Sequence, residues 1–140
     1  MIAEMTSFLT IRHCDYRDTG IYICEWMTGS HIYSSLALLT VHSSPIYISQ
    51  RQTLINGSLG LELLFYSVPA PVKVVWLYDD RPLDDLQITA WNLKDTRVKI
   101  NFYDTELETD GYMAALVVNY SHNEDSRLYS CQVRNYFGTM

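Results

Sequence analysis

Basic charge, long apolar runs and paired cysteines are all scarce in this chain. Across 140 residues there are 10 Lys and Arg against 16 Asp and Glu, a formal net charge of −6. An acidic balance argues against nucleic acid or anionic lipid as a partner, because both reward a basic stripe. No apolar run approaches the roughly 18 residues that a membrane-spanning helix needs. The first six residues, Met1 to Thr6, carry neither the basic start nor the apolar centre of a secretion signal. His-Glu-x-x-His, glycine-rich phosphate loops and Cys-x-x-Cys are all absent, so no metal, nucleotide or redox motif stands out. Three cysteines cannot all pair within one chain. What is plentiful is tyrosine, 11 residues, with short β-branched and aromatic runs and only 6 glycines; that composition leans toward sheet.

An internal repeat organises the chain. Residues 8–24 and 115–131 overlay with a shift of 107, placing Leu9 on Leu116, Ile11 on Val118, Asp18 on Asp125, Tyr22 on Tyr129 and Cys24 on Cys131. A period this long exceeds the ~20–50 residues of a solenoid repeat and suits whole sandwich domains in tandem. The shared pattern is Asp-x-x-x-Tyr-x-Cys. It reads as a tight turn holding Asp18 or Asp125, followed by a strand in which Tyr22 or Tyr129 stands two residues before a cysteine. In such a corner the phenol hydroxyl bonds to upstream backbone and pins the connection between two sheets.

With that motif present twice in register, the chain resembles the immunoglobulin superfamily, and its second part resembles the intermediate (I-set) domains. Gly57-Ser-Leu59-Gly-Leu61-Glu-Leu63 looks like strand B, with Leu63 where the family normally has Cys and Phe65 as the second choice of register. Trp76, in Val74-Val-Trp76-Leu-Tyr78-Asp-Asp-Arg-Pro82, is similar to the strand C tryptophan and its following turn. Val98, Ile100 and Phe102 alternate as a further strand, and residues 112–118 would be strand E. The implied fold is all-β: tandem immunoglobulin-like sandwiches. Residues 1–44 would be the C-terminal part of one domain (strands E, F and G, its N-terminus truncated). Residues 45–140 would be a second domain lacking its last strand, with His42-Ser43-Ser44-Pro45 as the link. Phe8 to His13 would form strand E of the first domain, and Ala37, Leu39 and Val41 would alternate inward on its strand G.

The resemblance implies a disulfide between strands B and F beside the tryptophan. Here Cys24 would find its partner before residue 1, and Cys131 would face Leu63. Cys14 reads as a buried free thiol; a Cys14–Cys24 bond is disfavoured by expected geometry. The missing half-cystine suits a reducing compartment. Two glycosylation sequons, Asn56-Gly-Ser58 and Asn119-Tyr-Ser121, suit the secretory pathway, and the balance favours an extracellular or cell-surface location over a cytoplasmic, sarcomeric one.

Candidate chemistry is thin. His13, His31, His42 and His122 fall on expected turns and strand ends without ligand spacing. Glu106-x-Glu108-x-Asp110-Gly111 imitates the start of a calcium loop, but its twelfth position is Val117, so residues 104–110 read as a solvated acidic loop. No catalytic, metal or cofactor residues are assigned. Trp26, Tyr33, Tyr78 and Tyr136 form the candidate partner-binding set, since exposed aromatic rings give contact area at low entropy cost. The expected function is non-catalytic recognition of other protein surfaces, including like surfaces, as part of an adhesion or receptor ectodomain. No nucleic acid or small-molecule substrate is expected, and a membrane would be reached only through a span outside these residues. The alternatives are an intracellular spacer of the giant muscle-protein type and the ligand-binding ectodomain of a receptor kinase.

Overall fold

The computed structural model describes residues 6–84, 88–119 and 128–140. Its contacts divide the chain into two compact units, Met1–Val41 and His42–Met140. Both are all-β, built from ten strands and one short 3-10 turn among the described residues.

In the first unit, β1 (Gly20–Thr28) and β2 (His31–Leu39) pair antiparallel along their whole length, from Gly20 opposite Leu39 to Thr28 opposite His31. The two-residue link begins with Gly29 at φ +61°, a left-handed backbone that glycine adopts without steric cost. Before β1 lies the 3-10 turn Tyr16–Asp18. Asp15 caps it by accepting from the Arg17 amide, while the Asp18 carboxylate accepts from the Asp15 amide at 2.8 Å. The hydroxyl of Tyr22 donates to the Asp18 carbonyl at 2.6 Å, and the Val41 amide donates to Thr19 Oγ1 at 3.0 Å.

Two expectations fail in this unit. Residues 8–13 form no strand, and Phe8 and Leu9 are 89% and 74% exposed. Alternating apolar residues specify a strand only where a neighbour completes the ladder, and among the described residues β1 pairs with β2 alone. Cys14, expected to be buried, is exposed and free; it lies in the irregular stretch before the 3-10 turn, outside any packed layer.

The second unit has two four-stranded sheets. One runs β3 (Ile46–Ile55), β4 (Ser58–Tyr66), β8 (Thr105–Asn119), β7 (Ile88–Phe102); the other runs β10 (Gly138–Thr139), β9 (Tyr129–Asn135), β5 (Lys73–Tyr78), β6 (Arg81–Pro82). Leu59, Leu63 and Phe65 from β4, with Ala114, Leu116 and Val118 from β8, close one core with Trp76 of β5 and Val133 of β9. The sheets thus face each other as a sandwich around a shared apolar layer. Hairpin turns follow side-chain chemistry. Asn56-Gly57 joins β3 to β4 with both residues at positive φ, and Asp79-Asp80 joins β5 to β6 in the same way. Pro82 sits on an edge strand, where no ladder amide is needed.

The acidic stretch 104–110 departs from expectation. Only Asp104, with Tyr103, lies in a turn; Glu106, Glu108 and Asp110 belong to β8. Their side chains stay exposed, and the opposing strand supplies cations. Lys99 stands opposite Glu108, and Arg97 bonds Asp110 at 2.8 Å and approaches Glu108 at 3.6 Å. Cross-strand pairing of opposite charges holds a strand together where a run of acids alone would repel. Beside β9, β10 pairs Gly138 with Asn135 and Thr139 with Arg134.

Asn135 is buried at the end of β9. Its Nδ2 donates to the Ser43 carbonyl at 2.7 Å, to Ser67 Oγ at 3.1 Å and to the Pro69 carbonyl at 3.3 Å, and its Oδ1 accepts from the Phe137 amide at 2.8 Å. One carboxamide therefore ties the entry segment, the β4–β5 connection and the β9–β10 turn. Asn135→Ala should lower stability by about 2–4 kcal/mol, because it strands several buried partners at once. Asn135→Asp, which keeps the acceptor and loses the donors, should also be unstable; urea denaturation of both variants checks this. Gly111 shows a second constraint. A Cβ there would lie 2.5 Å from Val98 Cγ2 and 2.9 Å from the Phe65 carbonyl oxygen. Gly111→Ala should cost about 1–3 kcal/mol from overpacking, whereas Gly20→Ala, with nothing within 4 Å of the added carbon, should shift the urea midpoint little.

Candidate protein-recognition surfaces

The four aromatic residues of the candidate partner-binding set are divided between the two units. Trp26 and Tyr33 belong to the first unit, paired across β1 and β2 with ring centroids 5.5 Å apart and planes 15° from parallel. Trp26 is half-buried beneath Tyr33, which is exposed. His31 adds a tilted contact to Tyr33 at 6.3 Å. Stacked cross-strand rings stiffen a hairpin and present a flat aromatic face. Tyr22 and Cys24 share that face by the alternation of β1, while Ile21, Ile23, Leu36 and Leu38 form an exposed apolar row on the opposite face.

In the second unit, Tyr78 and Tyr136 lie at opposite ends of the β5–β9 ladder. Tyr78 pairs with Tyr129, centroids 4.7 Å apart, where β9 begins. Tyr136 follows the end of β9, seven residues on, or roughly 20 Å along a strand. It is 83% exposed in the two-residue turn before β10. Beside it Phe137 is exposed too, held by its amide bond to Asn135 Oδ1 and by the edge of the His42 ring at 5.5 Å. A fixed turn that offers two rings is a compact anchor of the kind that carries binding energy. Phe137 lies outside the candidate partner-binding set; its adjacency to Tyr136 in one turn is the available signal. Trp91 is exposed on the edge strand β7.

Trp76 and Leu63 lie in the core, and Cys131 and Tyr129 pack against it from β9. Asp125 lies outside the described residues, so the second corner is visible only from Tyr129. All three cysteines are free. Burial pushes the Cys131 thiol up to about 12. Cys14 is also raised, first by desolvation and then by the nearby Asp18 and Asp15 carboxylates. Asn56 is exposed at the tip of the β3–β4 hairpin. Asn119 is exposed at the end of β8, where its Oδ1 accepts from Thr89 Oγ1 at 3.5 Å; the rest of its sequon lies outside the described residues. His13, His31 and His42 are exposed, and His122 is not among the described residues. Among the described residues, no three His, Cys, Asp or Glu side chains are grouped to hold a metal ion. None of the described helices is long and apolar enough to cross a membrane.

The thiols give a direct test of this placement. Thiolate is the reactive form, so at pH 8 iodoacetamide should label exposed Cys24 first and Cys131 at least about 100-fold more slowly, read by peptide mass spectrometry. The folded thiol ionises above the ordinary value of 9. Its contribution to stability is therefore full below pH 9 and is lost as the pH rises from 9 toward 12. Equal labelling of Cys24 and Cys131 would place Cys131 outside the core. No protein-family model matches this chain.

Proposed function

We propose that the chain is a non-catalytic protein-recognition segment of immunoglobulin type, belonging to an adhesion or receptor ectodomain. The observation that carries this reading is the strand order of the second unit. β3-β4-β8-β7 and β10-β9-β5-β6 correspond to the A-B-E-D and G-F-C-C′ order of immunoglobulin sandwiches, with Trp76 on the third strand beside the slot between Leu63 and Cys131. The Tyr22 bond to the Asp18 carbonyl supports the same reading for the first unit. A sandwich does not fix a function. The exposed rings at Tyr136, Phe137 and Tyr33 suit contact with protein surfaces, and Asn56 on an open hairpin tip suits an extracellular setting.

A second reading has its own observation: three free cysteines suit a reducing compartment, as in an intracellular spacer. Peptide mass spectrometry of the protein from its native tissue, before and after enzymatic deglycosylation, separates the two. Glycan on Asn56 is the expected result. Asn56 and Asn119 both bare, with Cys24 and Cys131 recovered as free thiols, would overturn the ectodomain reading in favour of the spacer. For the recognition surface itself, beads coated with the chain should bind a partner-bearing surface or one another. A Tyr136→Ala/Phe137→Ala double variant should weaken that capture at least about tenfold if the turn is an anchor.

A further inference from the structure

The two glycosylation sequons, far apart in the chain, meet in the fold. Asn56 and Gly57 make the tight turn between β3 and β4, and Ser58, the third residue of that sequon, opens β4 directly opposite Asn119 of β8. Opposed residues of antiparallel strands have Cα atoms about 4.5–5.5 Å apart. Asn56 stands two residues from Ser58, so the two acceptor residues lie roughly 10 Å apart at one end of this sheet. Both asparagines are exposed. The Thr89 hydroxyl donates to Asn119 Oδ1 at 3.5 Å, which leaves Nδ2, the atom that takes a sugar, unengaged among the described residues. Leu54 of the same hairpin is 61% exposed, apolar area at this end that carbohydrate would cover.

The other end of the same strands carries the aromatic turn. β4 runs from Ser58 to Tyr66. The next residue, Ser67, accepts from the Asn135 carboxamide that also holds the turn of Tyr136 and Phe137. That length of strand, about 30 Å, separates the sequon end from the aromatic end. An N-linked glycan is bulky and solubilising. Carbohydrate on Asn56 and Asn119 would therefore close its own end to protein contact and leave the turn clear.

We propose that Asn56 and Asn119 form one composite modification site, a two-glycan cap that closes this end of the second unit and leaves the Tyr136–Phe137 end open for recognition. The inference rests on the ectodomain reading above, because the sugar donor belongs to the secretory pathway. At each site Nδ2 forms a bond to C1 of an oligosaccharide carried on a lipid diphosphate. The C1–O bond to the diphosphate breaks, the lipid diphosphate leaves, and the amide gives up one proton. Neither glycan alone makes the cap; the pairing of Ser58 with Asn119 brings the two together.

The test directs the full chain into the secretory pathway of cultured animal cells with a cleavable leader, so that transfer no longer depends on where the native protein resides. Mass spectrometry of the intact chain and its glycopeptides should find glycan on both residues of the same molecule. Under native conditions a glycan-releasing amidase should free the Asn119 glycan at least about threefold faster from an Asn56→Asp chain than from the wild type, because a bulky neighbour hinders access. The difference should vanish in urea. Asn56→Asp keeps a residue that tolerates the left-handed turn, Asn119→Gln gives the reciprocal comparison at Asn56, and wild-type amide exchange in β8 shows that both variants are folded. Nitration of Tyr136, read by peptide mass spectrometry, should agree within about twofold before and after glycan removal. Fewer than two glycans per molecule, equal release rates from the wild type and both variants, or Tyr136 nitration at least about tenfold slower on the glycosylated chain would each overturn the proposal. Bare asparagines in the protein from native tissue, with both glycans present on the redirected chain, would place the failure in the ectodomain reading rather than in the paired site.

Discussion

Contact between two sheets through apolar side chains alone is the constraint on which the second unit depends. Leu63 lies within the core and the free thiol of Cys131 packs against it from β9. Phe65, Leu116 and Val133 are essentially inaccessible to solvent around it. Burial of each such side chain stabilises by about 1.5–3 kcal/mol, and the thiol packs against this layer without the cost of an unsatisfied polar atom, because a protonated thiol behaves as a small hydrophobe. The elevated ionisation of Cys131 expresses the same fact, since a thiolate there would be a charge without water.

Polar order is concentrated at one end of that core. Asn135 joins partners 92, 68 and 66 residues away in the chain, so its carboxamide closes long loops that no strand ladder closes. Such a group is favourable only because all its bonds are made together; a partly satisfied amide in the same place would oppose folding. The consequence reaches the surface. Asn135 sets the β9–β10 turn, and that turn presents Tyr136 and Phe137. These two exposed rings therefore depend on a buried side chain.

Much of this was legible in the sequence because it is local or periodic. Asn56-Gly57 and Asp79-Asp80 announce turns through residues that tolerate positive φ, and the alternation of Val98 and Ile100 gives a strand with those residues buried. What escaped depends on partners distant in the chain. Leu9 and Ile11 alternate as a strand would, but among the described residues no adjacent strand completes the ladder. Glu106, Glu108 and Asp110 resemble a loop until Arg97 and Lys99 are placed across from them. Nothing near Asn135 in sequence reveals Ser43 or Pro69 as its acceptors.

The two halves of the repeat separate two requirements that a complete sandwich meets at once. β1 and β2 pair over nine residues each, so their facing main-chain groups are satisfied, yet Ile21, Ile23, Leu36 and Leu38 keep most of their surface in water. β9 meets both where β10 runs beside it: Val133 is buried in the core, and its main-chain groups close the ladder with Met140. Hydrogen bonding without burial leaves a two-stranded ribbon marginal in water, so the same turn register is held by a packed second sheet in one unit and by the ladder and its stacked rings in the other.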